Sequence, residues 1–173
     1  MSIKNSLMAF SFLCFFTACN VDAQNVLVTK NKVAVSGYDV VSYFDSKPTK
    51  GKIDLLATHE GATYQFSTTE NRDKFIANPT KYTPQYGGWC AYGWSQGYPA
   101  KIDPESWTIV DGKLYLNYNK DVKVTWDKNQ AGFIEKANLN WTKKKVKSEK
   151  WKTKSEKWKI VFANNCLSIS YAF

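Results

Sequence analysis

The sequence predicts an α+β fold, with small antiparallel β-hairpins packed with helices in a single domain. Three observations carry that expectation. Asp111-Gly112 lies between two β-prone runs, 107–110 and 113–118, and a two-residue Asp-Gly turn is a strong hairpin signal. A second pair of runs, 53–58 and 63–66, flanks His59-Glu60-Gly61-Ala62, with glycine at the turn. Helix start and stop signals follow each pair, so hairpins and helices come in segregated groups and not in βαβ alternation.

Each element has its own local reason. The run Gly37-Tyr38-Asp39-Val40-Val41-Ser42-Tyr43-Phe44 places apolar side chains at 40, 41, 43 and 44, and reads as a short helical turn or strand against the core. Ser67-Thr68-Thr69-Glu70 has the pattern of a capping box, in which Ser67 and Glu70 satisfy orphan amides at a helix start. That helix runs to about Asn78, with Phe75 and Ile76 inward, and Pro79 stops it. In the second strand of the Asp-Gly hairpin, Leu114, Leu116 and Tyr118 alternate with Tyr115 and Asn117, so one face is expected to be buried. Asn119 can cap a helix to about Lys128. Gly132 interrupts the pattern softly, and Phe133, Ile134, Ala137, Leu139 and Trp141 suggest a last helix packing back.

Composition narrows the class. The chain has 173 residues, 43% hydrophobic and 16% aromatic, which suits one packed domain and not a disordered chain. Its net charge of +9 is unevenly spread. Residues 142–173 hold nine lysines against two glutamates, whereas residues 23–141 hold 14 basic against 12 acidic side chains. The body therefore lacks the basic face that phosphate binding needs, and no nucleic-acid partner is expected.

Residues 1–23 read as an export signal. Lys4 precedes a twelve-residue apolar stretch at 7–18, long enough for a signal sequence and too short to span a bilayer. Two exits compete. Val21-Asp22-Ala23 before Gln24 suits a signal peptidase, while Phe16-Thr17-Ala18-Cys19 resembles a bacterial lipobox that would leave Cys19 lipidated. Either exit places residues 24–141 outside the cytoplasm, in a bacterial periplasm or on a membrane-anchored lipoprotein. The body then keeps only Cys90, with Cys166 in the tail, so no disulfide framework holds it.

The tail at 142–173 contains a near-duplication, Lys147-Ser148-Glu149-Lys150-Trp151-Lys152-Thr153 followed by Lys154-Ser155-Glu156-Lys157-Trp158-Lys159-Ile160. One apolar position per seven residues is too thin for a coiled-coil seam. Two readings stay open: a disordered, recently acquired extension, which is favoured, or a basic amphipathic anchor for an anionic surface.

The residues at 33–141 resemble the YHS domain. The resemblance rests on Gly37 to Phe44, on Glu60-Gly61-Ala62-Thr63-Tyr64-Gln65-Phe66, and on Asn78-Pro79-Thr80-Lys81-Tyr82. Tyr86-Gly87-Gly88-Trp89-Cys90-Ala91-Tyr92, Asp111 to Tyr118 and Ala137-Asn138-Leu139-Asn140-Trp141 are similar to the longer, exported bacterial branch. The resemblance implies a cell-envelope protein of undefined biochemical role. Short members of the family carry cysteines in a zinc-finger-like site, but here Phe66-Ser67-Thr68 and the helix behind it have none.

The chemistry-bearing residues are few. His59, the only histidine, and Cys90, set among glycines and aromatics, are the candidate ligands of a metal, copper or zinc. A closed zinc site would need further ligands such as Asp39, Glu60 or a second subunit, whereas a two-coordinate Cu(I) site suits a thiolate with an imidazole. The alternative is a binding module without metal, in which Trp89, Tyr92 and Trp94, with Tyr98 and Trp107, line a groove on the Gly-rich loop for a small ligand or an envelope protein. Packing is the competing role for all of them: a core thiol, core rings and an exposed turn histidine. No enzyme is expected, because a nucleophile pair would need His59 beside a thiol or hydroxyl with an orienting carboxylate, and no phosphate loop is present. Membrane contact is expected only through a lipid anchor or the basic tail.

Overall fold

Two hairpins frame the protein. In the first, β1 (Lys52–His59) runs antiparallel to β2 (Ala62–Phe66); in the second, β3 (Asp103–Val110) runs antiparallel to β4 (Lys113–Asn117). Glu60-Gly61 closes one and Asp111-Gly112 the other, and all four residues have positive φ. That is the type I′ pattern, whose twist matches the strands it joins and which glycine takes at no steric cost. Pairing is regular next to each turn and shifts register further out, between Lys52 and Leu56 and between Asp103 and Trp107.

The computed structural model describes residues 25–169, with side chains through residue 159. Over these residues the chain is a single α+β domain. The helices are α1 (Thr69–Ala77), α2 (Pro79–Tyr82), α3 (Ala91–Ser95), α4 (Lys120–Asp127) and α5 (Gln130–Ile169). Three single 3₁₀ turns at Val35–Gly37, Ser42–Asp45 and Gln85–Gly88 complete it. The expected export signal and the Cys19 lipidation site lie outside the described residues.

Helix ends follow local chemistry with one displacement. Asn119 caps α4 by accepting from the Val122 amide at 2.8 Å, as expected. The cap of α1 is Thr68, which accepts from the Asn71 amide at 3.1 Å, and not Ser67. Ser67 is taken elsewhere: its amide and its hydroxyl both donate to Asp39 Oδ2, at 2.9 and 2.6 Å. Glu70 still serves the first turn, and hydrogen bonds from its own amide and from Thr68 hold its carboxyl below the usual carboxylate range. Pro79 ends α1 and also opens α2, where its missing N–H costs nothing, with Asn78 capping the Lys81 amide.

Asp39 is the polar centre of the first half. It is fully buried, and besides Ser67 its carboxylate accepts from the Val41 amide at 2.9 Å, the Ser42 amide at 3.4 Å and Asn71 Nδ2 at 2.8 Å. These bonds tie the 3₁₀ segment to the end of β2 and to α1. Around this centre pack Val40, Val41, Tyr43, Tyr64, Phe66 and Phe75. Phe75 is inward as expected, but Ile76 is 59% exposed, since α1 covers β2 with one stripe only.

β4 divides the interior. Leu114 and Leu116 join the Asp39 cluster, while Tyr115 joins a second cluster of Tyr86, Ala91, Trp94, Trp126 and Ala137. Both faces of the strand are buried, which corrects the one-sided expectation; Tyr118, beyond its end, is exposed. Gly132 sits in the first turn of α5. That helix packs back through Phe133, Ile134, Ala137 and Trp141, whereas Leu139 points to solvent. The residues after Trp141 differ from the disordered extension favoured by the sequence. They continue α5 without a break to Ile169, in a segment free of Gly and Pro and rich in Lys, which loses little rotamer freedom in a helix.

Candidate functional site

The Gly-rich segment connects α2 to α3 and is held from below by the start of the domain. Gly87 accepts a hydrogen bond from the Leu27 amide at 2.8 Å, and a Cβ at Gly87 would run into the Asn25 carbonyl. The close backbone approach that its glycine permits is therefore made by the chain itself and not by a ligand. Positive φ at Tyr86, Gly87 and Gly88 turns the chain so that Cys90 enters the interior at the head of α3.

Cys90 is 1% exposed and a free thiol. Its amide donates to the Ala100 carbonyl at 3.0 Å, and its Sγ accepts from the Gly93 amide at 3.3 Å, capping α3. Asn117 Oδ1 lies 3.8 Å from Sγ and accepts from the Tyr92 amide at 3.2 Å. Burial pushes the thiol above its ordinary value, only partly opposed by the amides of Gly93, Tyr118 and Tyr92. At neutral pH it is a protonated, weakly nucleophilic group.

Cys90 forms the floor of an open cavity of about 250 Å³ lined by Tyr92, Gly93, Tyr98, Ala100, Tyr118 and Val122. α3 supplies one wall, the turn after it the second, and the junction of β4 with α4 the third. Its lining is mainly apolar, with tyrosines at the rim; Tyr98 and Tyr118 are each about half exposed. The volume lies just below the usual range for small-molecule sites, so it suits a compact group: a fragment-sized ligand or one side chain of a partner.

The other sequence candidates fall in different places. Trp94 is 4% exposed and sits edge-on to Trp141 at 5.0 Å, with Lys144 Nζ over both indoles at 5.2 and 4.4 Å. Trp89 packs against the same cluster, and Tyr92 sits edge-on to Phe133 at 5.1 Å. Of the expected trio Trp89, Tyr92 and Trp94, Tyr92 alone lines the cavity; the two indoles bind α5 to the body. Trp107 packs against the first cluster, edge-on to Tyr43 at 5.6 Å. Tyr118 and Val122 were not legible as site residues, because they follow a strand end and a helix cap and reach the cavity only through the fold.

His59 ends β1 opposite Ala62, half-buried, with its ring edge-on to Phe75 at 6.1 Å. It is not among the residues lining the Cys90 cavity. Asp39 has no lone pair to spare for a metal, since five donors occupy its two oxygens. Among the described residues no cluster of three or more His, Cys, Asp or Glu is positioned to hold a metal ion. A closed tetrahedral zinc site therefore has no donor set there. The expected two-coordinate pairing of Cys90 with His59 is likewise not assembled, because His59 stands beside Phe75 at the end of β1 and Cys90 lies at the head of α3.

Comparison with family models, with curated proteins and with solved structures returns no match to this chain.

Proposed function

We propose that this is an exported cell-envelope protein of the YHS type that works as a binding module, not an enzyme, and takes a compact apolar group in the Cys90–Tyr92–Tyr98–Tyr118–Val122 cavity. The observation that carries the reading is the cavity itself: a mainly apolar lining with half-exposed tyrosines, on a segment already fixed by Gly87 and by the Cys90–Gly93 cap. An aromatic rim over an apolar floor favours a ligand with a flat apolar body and one polar edge. Amide NMR titration with phenol and indole tests this. Shifts confined to Gly93, Tyr98 and Val122, abolished by Val122→Trp with the fold intact, are the expected result. Absence of shifts at millimolar probe, or shifts that survive Val122→Trp, would sink the reading.

Metal handling is the second reading, favoured by the Cys90 sulfur at the base of the cavity. A Cu(I) ion there would have to displace the thiol proton, so its affinity should rise with pH. Loss of near-stoichiometric Cu(I) in Cys90→Ser supports it. Equal uptake by wild type, Cys90→Ser and His59→Ala would remove it.

A further inference from the structure

We infer that the outer half of α5 is a membrane-surface element that docks on anionic phospholipid through Trp151 and Trp158. Continuous helix turns the seven-residue repeat into geometry. Residues seven apart lie about 20° apart around the axis and roughly 10 Å apart along it, so the two indoles share one line on the helix. Both are exposed, at 61% and 55%, although indoles are large apolar groups whose polar edge is best served at a water–lipid boundary.

The charges are sorted around that line. Lys147 and Lys154 lie on the same face within roughly 60° of the indoles, while Glu149 and Glu156, two residues before each Trp, fall on the far side. Lys154 Nζ stands over the Trp151 ring at 5.5 Å. Another face of the helix is turned to the body, where Lys145 and Lys152 line a cavity with Glu60, Tyr86 and Trp141. On helical geometry the two indoles lie roughly 100–140° around the axis from Lys145 and Lys152. Residues 142–159 carry nine lysines and two glutamates beside a nearly neutral body, so the positive field is local to this helix.

Charge complementarity selects the partner. Lysines can lay their stems along the helix and keep their ammonium groups at phosphate level, while the indoles enter the headgroup region. Among the described residues no helix is long and apolar enough to cross a membrane, so the contact is in-plane.

The test is flotation of residues 24–173, which include every described element, with vesicles of phosphatidylcholine alone and of phosphatidylcholine mixed with phosphatidylglycerol. Binding to the mixed vesicles that weakens in high salt is expected. Trp151→Ser with Trp158→Ser should lower partitioning about tenfold or more, and Lys147→Gln, Lys150→Gln with Lys154→Gln about a hundredfold. Circular dichroism of both variants should match wild type. Equal binding to the neutral vesicles, binding indifferent to the two Trp changes, or retention on single-stranded DNA without vesicle binding would each overturn the inference.

Discussion

The interiors on the two sides of β4 are built from different chemistry. On the Leu114–Leu116 side the buried polar group, Asp39, is matched by five donors from three segments of chain. On the Tyr115 side the polar atoms are left over. Among the described residues, the buried side-chain polar atoms without a hydrogen-bond partner are the indole nitrogens of Trp89, Trp94 and Trp126, Thr108 Oγ1 and Asn117 Nδ2. All belong to the second cluster or to the strand faces turned towards it, since Thr108 pairs with Tyr115 and Asn117 shares its face. The Cys90 cavity opens on this side too. A region whose buried polar groups are all paired is specified by its own contacts; one that keeps unpaired polar atoms is less completely closed.

The sharpest way to break the contrast is to remove the Asp39 hub. Asp39→Ala orphans up to five donors in a closed interior, and unfolding in urea should show a loss of about 3–5 kcal/mol. Ser67→Ala removes two of those roles only in part, because its amide remains, and should cost about 2 kcal/mol. A loss under about 1 kcal/mol for Asp39→Ala would mean that the hub is dispensable and that the two interiors are alike.

The second prediction reads the other side through pH. The Cys90 thiol is raised by burial, so the folded state resists ionisation while the unfolded thiol ionises at its ordinary value. The stabilising contribution is thus complete below about pH 8 and is lost as pH rises towards the folded value, so stability should fall between pH 8 and 10. Chemical denaturation at the two pH values checks it: Cys90→Ala should remove this part of the pH dependence. An unchanged pH slope in the variant would show that the thiol is solvated and the cavity wetter than its lining suggests. Tyr43 and Tyr64, also raised chiefly by burial, act in the same direction at higher pH and are common to both proteins.

What the sequence allowed to be read was local. Both hairpins and the Asn119 cap could be placed because Glu60-Gly61, Asp111-Gly112 and Asn119 act within a few residues of themselves. The cap of α1 was misplaced by one position for the opposite reason: Ser67 and Thr68 are equivalent in sequence, and what separates them is a carboxylate 28 residues away. Burial of β4 on both faces depends on a second cluster assembled from α3, α4 and α5, which a strand's alternation does not record. The candidate site was half legible. Cys90, Tyr92 and Tyr98 stood out by composition, but Tyr118 and Val122 join them only in space, and Trp89 and Trp94 were drawn into packing by Phe133 and Trp141 of a helix some 40 residues on.

The smallest expected effect has the opposite sign to the first and so sharpens the contrast most directly. Thr108 Oγ1 is buried without a partner, and Thr→Val keeps the shape of the side chain while removing its hydroxyl. In the Asp39 half such a change would break a bond, as Ser67→Ala does. Here it relieves an unpaired group, and the protein should be unchanged or more stable by up to about 1 kcal/mol. Thermal and urea unfolding of Thr108→Val measure it. Destabilisation beyond about 1 kcal/mol would mean that the hydroxyl is satisfied in solution, by ordered water or by a shift of the chain. In that case the second interior is closed like the first.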